Sequence, residues 1–344
     1  MTTYTYTDPD QGFLRVLRFV LENGTAQDSR NGPVISLEDP FISRMNPGLG
    51  RRLVLNPTRD VNPFFTHFET IWMMAGRNDL ASLTDFLPSF SQYSDDGVSV
   101  RGSAYGFRWI QHFGRNQLQE VIENLKLNKN DRRAVVTMWD GDIDLRDAKV
   151  SKDVPCNMQI VFSIKNRESV EELDMTVFNR SNDLVYGMFG SNIYHFSFLH
   201  EYMALSIGVS VGRYNQVTNN LHLYVENEAT KRVIDNKEDS WTAPSFSNES
   251  ALSTLGLFSR AEANSFVSWP QATNNAYLRK VSLPVYMSYM IWKNSISGLN
   301  LSRKTRLAAA KEVALSIEDE ELRYACVNWL QRREDAGQKD LGVK

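Results

Sequence analysis

Hydrophobic and polar positions alternate between two periods along this chain, and the switches mark its elements. From Gly12 to Glu22 apolar residues (Phe13, Leu14, Val16, Leu17, Phe19, Val20, Leu21) recur at helical spacing and stop at Asn23-Gly24. A polar loop, Gln27 to Pro33, leads to a short strand at Val34 to Leu37. Asn62 to Gly76 predicts a helix with Asn62 as N-cap, Pro63 in the first turn and an apolar face that encloses Glu69. Arg108 to Leu127 reads as one amphipathic helix, and Ala134 to Trp139 as a strand. Alternation from Met158 and again over Leu173 to Asn179 gives two more strands. Ser191 to Ile207 reads as a largely buried helix, and Val211 to Val225 as a β segment. Tyr277 to Ile296 is apolar, and Ser302 to Arg333 predicts two charged helices joined near Ser316. The sum is an α+β chain with a mostly β centre, divided into residues 1–245 and a helical C-terminal extension, 246–344.

Composition narrows this picture. At 344 residues the chain can bury a large core, and its 42% hydrophobic and 11% aromatic content is that of a globular protein. A net charge of −3 with interspersed signs gives no footprint for nucleic acid. Cys156 and Cys326 alone make no disulfide framework, which suits a reducing compartment. No apolar run is long enough to span a membrane, and the N-terminus lacks a signal pattern. A cytoplasmic protein is the expectation.

One short stretch carries most of the candidate chemistry. In Asp153-Val154-Pro155-Cys156-Asn157, proline stiffens the approach to a thiol at the mouth of a strand. Read alone, Cys156 is more often a small buried hydrophobe than a nucleophile. Glu69 among large apolar residues is either at a rim or held for a purpose. Arg30 in an Asn-Gly turn and the pair Arg132-Arg133 read by themselves as solvated. Cys326 reads as packing, and His67, His195 and His200 lack metal-ligand spacing.

Taken together, these features resemble the thymidylate synthase family in order and nearly in spacing. The resemblance rests on Glu69-Thr70-Ile71-Trp72 running to Gly76, Pro155-Cys156, Arg180-Ser181-Asn182-Asp183 with Gly187, Asn192-Ile193, and His222-Leu223-Tyr224. It covers roughly residues 10 to 235. It implies a central mixed β-sheet packed with helices, and a homodimer joined sheet to sheet with shared active sites. By resemblance, the Cys156 thiolate adds to C6 of a pyrimidine nucleotide, with Arg180 supplying the positive charge that a thiolate needs. Arg30, Arg180 and Ser181 would clamp the phosphate, with Arg132 and Arg133 reaching it from the partner. Asn192 would read the base edge, Asn157 would shape the base pocket, and His222 and Tyr224 would hold the sugar. Glu69 would organise water for proton transfer, and Tyr105 would line the pocket beside Cys156. Asp183 would bond the pterin of 5,10-methylenetetrahydrofolate, the one-carbon donor, with Gly187, Phe90 and Tyr93 beside it. No metal is implied.

Family members diverge at the last step, where hydride gives a methyl group and water a hydroxymethyl group. Where synthases carry Trp-x-x-Trp, this chain carries Phe90-Ser91-Gln92-Tyr93, and it ends in Lys339-Asp340-Leu341-Gly342-Val343-Lys344 rather than the family's closing tail. Both departures favour admission of water, so the resemblance implies a 5-hydroxymethyltransferase of the kind found in phages with modified DNA bases. Asn192 favours uracil, so dUMP leads dCMP and CMP; the sugar is not readable. One residue more than the family pattern lies between Gly187 and Asn192. The alternatives are a thymidylate synthase making dTMP with a divergent lid, and a catalytically silent nucleotide-binding homologue.

Overall fold

The computed structural model describes residues 2–47, 51–145, 151–237, 241–242, 244–247, 249–295 and 301–336. The expectation about the tail Lys339–Lys344 lies outside these residues. Among the described residues, ten strands form two sheets: β1 (Thr2–Tyr6), β2 (Thr25–Ser29), β3 (Gly32–Ser36), β4 (Phe41–Met45), β5 (Val135–Thr137), β6 (Asn157–Arg167), β7 (Val170–Asn179), β8 (Asn182–Asp183), β9 (Ser210–Thr218) and β10 (Leu221–Tyr224). The larger is six-stranded and mixed, in the order β1-β4-β9-β7-β6-β5. The smaller, β2-β3-β10-β8, has four strands. The α+β expectation holds.

The sheet buries one face. Along β7, Leu173, Met175 and Val177 are fully buried while the residues between them are half-exposed, the period-two pattern of a strand with one face in a core. The buried Ile193–Ile207 helix packs on β7 and β9 and against the Pro63–Met74 helix. Asn62 caps the latter helix as expected, its Oδ1 accepting from the Phe64 and Phe65 N–H groups at 3.1 and 3.2 Å. The C-terminal helices Leu283–Lys293, Arg303–Leu315 and Glu320–Asp335 pack on one another, and the first and last also pack on Pro63–Met74. The Glu321 carboxylate joins this region to the early chain by accepting from the Arg52 and Leu53 N–H groups, both at 2.8 Å.

Four sequence expectations need correction. Gln27 to Pro33 is not a loop: β2 and β3 pair antiparallel as a hairpin turning at Arg30-Asn31, with β2 wholly exposed and so without an apolar alternation to reveal it. Arg108 to Leu127 is two pieces, a π-helical turn Arg108–His112 and a helix Gln117–Leu127, separated where Gly114 takes φ +69°. Val211 to Val225 splits into β9 and β10, which belong to different sheets. The helix expected from Ser191 begins at Ile193 and is preceded by a π-helical run, Leu184–Asn192. The segment from Gly187 to Asn192, one residue longer than the family pattern, lies within this π-helical run.

Candidate active site

Strands deliver the chemistry to one end of the sheet, where β6 starts and β7 ends. Asn157 and Asn179 are cross-strand partners there, so Cys156 and Arg180 lie just outside the ladder and adjacent to each other. The Arg180 N–H donates to the Cys156 carbonyl at 3.0 Å. The Arg180 side chain then folds over the proline turn: Nε donates to the Pro155 carbonyl at 2.9 Å and Nη2 to the Val154 carbonyl at 3.2 Å. Its guanidinium lies 5.8 Å from the Trp139 ring centroid.

From the other side the turn is held by Tyr105 and Asp153. The Tyr105 hydroxyl accepts from the Cys156 and Asn157 N–H groups at 3.2 and 3.4 Å. Burial keeps that phenol protonated well above its ordinary range. Asp153 Oδ2 accepts from the Gly102 N–H at 2.8 Å and the Ser103 hydroxyl at 3.0 Å, so the loop before Tyr105 and the loop before Cys156 are bound to each other. Gly102 is required by this approach, since a Cβ there would sit 2.4 Å from the Asp153 carbonyl oxygen.

Electrostatics qualify one expectation. Burial pushes the Cys156 thiol above its ordinary value; Arg180 pulls it down, Asp153 and Asp183 push it up, and Arg30 pulls it down. Arg180 therefore acts in the expected direction, but in the single chain desolvation outweighs it.

Asp183 and His222 are register partners in the parallel β8–β10 pair. Asp183 Oδ1 caps the π-helical run by accepting from the Val185 and Tyr186 N–H groups at 2.6 and 2.7 Å. His222 Nδ1 donates to Asn220 Oδ1 at 2.9 Å, which leaves Nε2 as an acceptor. Burial raises the Asp183 carboxyl and lowers the His222 imidazole, so both shifts favour the neutral forms. The His222 and Tyr224 rings meet edge to face at 5.1 Å. Asn31 of the β2–β3 turn reaches the Tyr224 hydroxyl at 3.5 Å, and Arg30 Nη1 donates to the Ser151 carbonyl at 3.4 Å. Ser181 is half-buried between β7 and β8.

Asn192 is buried, and its Nδ2 donates to Asn182 Oδ1 at 3.1 Å. Gly187 lies against that contact: a Cβ there would be 2.3 Å from Asn182 Oδ1. Asn157 is fully buried with neither amide atom hydrogen-bonded among the described residues. A buried amide without partners is costly unless a ligand or water completes it.

Phe90 and Tyr93 lie on the short helix Pro88–Tyr93. Phe90 packs on Phe65 (5.9 Å between centroids) and Tyr93 (5.4 Å). Burial raises the Tyr93 phenol, and so do Asp153, Tyr186 and Tyr224, which places Tyr93 in the electrostatic neighbourhood of the turn and the sugar-site candidates. Arg132 and Arg133 are exposed; Arg133 Nε donates to Asp131 Oδ1 at 3.0 Å, and neither arginine bonds to the Cys156 group within the chain.

Glu69 is buried on Pro63–Met74, and its Oε2 faces His195 Nε2 at 3.2 Å. Sequence reasoning missed His195, and also Asp153, Trp139, Asn182 and Gln216 as supports. His195 lies three residues after Asn192, which on a helix puts both on one face, and that spacing was the available signal. Among the described residues, no group of three or more His, Cys, Asp or Glu side chains is placed to hold a metal ion. A groove of about 370 Å³ lined by Ile110, Leu118, Ile122, Tyr202 and Phe258 does not include Cys156.

The thymidylate synthase family model matches residues 11–257. A deoxyuridylate hydroxymethyltransferase of Pseudomonas phage M6 is 37% identical over 326 residues, covering 91% of this chain and 89% of that protein. One of Bacillus phage SP01 is 34% identical over 245 residues, 68% of this chain and 62% of its own. A putative thymidylate synthase of Methanothermobacter marburgensis is 34% identical over 133 residues, 38% of this chain and 56% of its own. The fold, the proline-cysteine turn and these matches together lead to one conclusion: the chain belongs to the thymidylate synthase family and is a transferase.

Proposed function

We propose that this protein transfers a one-carbon unit to C5 of dUMP and finishes by adding water, giving the 5-hydroxymethyl nucleotide. The observation that carries the reading is the Cys156 turn, pinned by Tyr105 on one side and Arg180 on the other, beside the Asp183–His222 pair. Its water-capturing outcome is supported by the hydroxymethyltransferase activity for which the phage M6 relative is named, matched over nearly the whole chain, and by Phe90 and Tyr93 in place of a tryptophan wall. Because two of the relatives are phage proteins, the host cytoplasm is the proposed location.

The thiol of Cys156 attacks C6 of the pyrimidine. Its raised value in the single chain means that a thiolate needs more positive charge, which the partner's copies of Arg132 and Arg133 would bring in a homodimer with shared sites. Arg30, Arg180 and Ser181 hold the phosphate, and His222 and Tyr224 hold the sugar. Asn192 and Asn157 meet the base, whose polar edge would satisfy the unpartnered Asn157 amide. Glu69 orders the water for proton transfers. Methylenetetrahydrofolate supplies the one-carbon unit when bound. Asp183 fits its pterin, because Oδ2 takes no bond from the described residues while Oδ1 is fixed by two N–H groups. Gly187, Phe90 and Tyr93 would flank it. Residues 1–245 would carry this chemistry and 246–344 would buttress it.

The test is mass spectrometry of products from dUMP, dCMP and CMP with methylenetetrahydrofolate in ¹⁸O-labelled water. Labelled 5-hydroxymethyl-dUMP is expected. A 5-methyl product with accumulation of dihydrofolate would overturn the water-capture reading in favour of a synthase.

A further inference from the structure

Asn192 is the last link of a buried amide relay that begins two elements away. Gln216 of β9 donates Nε2–H to the Met188 carbonyl at 3.3 Å. Asn182 of β8 donates Nδ2–H to Gln216 Oε1 at 3.2 Å. Asn192 in turn donates Nδ2–H to Asn182 Oδ1 at 3.1 Å. Gln216, Asn182 and Asn192 are 1%, 2% and 8% exposed, so water cannot substitute for a lost partner.

An isolated side-chain amide can be turned end for end, because its oxygen and nitrogen occupy nearly the same space. This one cannot. A main-chain carbonyl only accepts, so Met188 dictates where the Gln216 nitrogen lies, and therefore where its oxygen lies. That oxygen dictates the Asn182 orientation, which dictates that of Asn192. Reversing Asn192 would set two amide oxygens against each other in a buried site. Gly187 protects the central link, since any side chain there would strike Asn182 Oδ1.

We propose that Asn182 and Gln216 are the positioning residues that set base specificity. They hold Asn192 so that Oδ1 and the second Nδ2–H face the pyrimidine. That edge accepts one N–H and donates to one carbonyl, which matches N3–H and O4 of uracil. Cytosine presents an acceptor at N3 and a donor at N4, and would require the reversed amide. The inference rests on the reading of Asn192 as the base contact.

The test compares kcat/KM for dUMP and dCMP in wild type, Asn182→Leu, Gln216→Leu and Asn182→Asp. Leucine matches the shape of asparagine without its polar atoms, whereas aspartate gives up the bond to Gln216 Oε1 at a cost in stability but can only accept from Asn192, and so holds it in the same orientation. Wild type prefers dUMP; the two leucine variants lose about tenfold or more of that preference, with dUMP falling and dCMP gaining, while Asn182→Asp keeps it. A purely structural role would lower both substrates alike. Leucine variants that unfold cooperatively yet keep the wild-type ratio would overturn the proposal. So would a wild type that binds dCMP as tightly as dUMP in calorimetry, with no variant needed. A wild type that prefers dUMP but releases the 5-methyl product removes the hydroxymethyl reading and supports the relay.

Discussion

Glu69 Oε2 and His195 Nε2 lie 3.2 Å apart across the contact between the Pro63–Met74 and Ile193–Ile207 helices. Both atoms are buried and neither makes a hydrogen bond among the described residues, so the contact is an ion pair without hydrogen-bond geometry. Each buried group therefore depends on the other. His195→Leu strands a buried carboxylate and is expected to cost about 3 kcal/mol in urea denaturation. In a Glu69→Gln background the same change should cost about 1 kcal/mol, because no charge is left unpaired. Equal costs in the two backgrounds would show that the residues are not coupled. Glu69→Gln alone should lower kcat about a hundredfold if its carboxylate manages proton transfer.

Within the single chain, burial outweighs Arg180 and raises the Cys156 thiol. The rate of alkylation by iodoacetamide, followed against pH in the protein without nucleotide, reports the thiol's midpoint. Arg180→Gln removes the largest lowering influence and should move that midpoint further up. A midpoint unmoved by the substitution would contradict this electrostatic account. Cys326 is fully buried, and its thiol is likewise raised by burial, so it should stay unmodified while the protein is folded.

Gly106 sits where the helix bearing Tyr105 meets the end of Pro63–Met74. A Cβ there would lie 1.8 Å from the Met73 carbonyl oxygen, a main-chain atom that cannot swing aside. Gly106→Ala should therefore destabilise by about 3 kcal/mol and reduce activity by displacing Tyr105 from the Cys156 turn. Gly141→Ala, whose Cβ would meet nothing within 4 Å, is the control and should change stability by less than about 0.5 kcal/mol. Thermal melts of the two variants decide the matter.

Glu321 ties the C-terminal helix to residues 52 and 53, and burial pushes its carboxyl up to about 8 from 4.5. An acid whose folded value is raised keeps its proton in the folded state at pH values where the unfolded chain has released it. Its stabilising contribution is thus complete below 4.5 and is lost as pH rises through about 8. Glu321→Gln should flatten this slope, removing a pH-dependent difference of up to about 5 kcal/mol across that window. Denaturant midpoints of wild type and variant at both ends of the window provide the measurement; parallel profiles would refute the assignment.

Much of the fold was legible because its signals are local. Asn62-Pro63 announces a helix start in the chain itself, since cap and first turn are neighbours in sequence. Alternation along β7 announces a strand with one buried face. The two C-terminal helices, Arg303–Leu315 and Glu320–Asp335, were readable with their break near Ser316. By contrast β2 carries five exposed residues and is a strand only because β3 pairs with it.

The candidate site divides the same way. The sequence by itself determined the family, the proline-stiffened thiol and the order of the residues around it, because motif residues and backbone preferences travel with the local chain. Only the tertiary structure decided what those side chains can do. Hydrogen-bond orientation and desolvation depend on groups brought together from distant positions: Met188, Gln216 and Asn182 orient Asn192, Glu69 finds His195, and burial overrides Arg180 at Cys156. None of those pairings has a fixed spacing along the chain, so folding alone sets them.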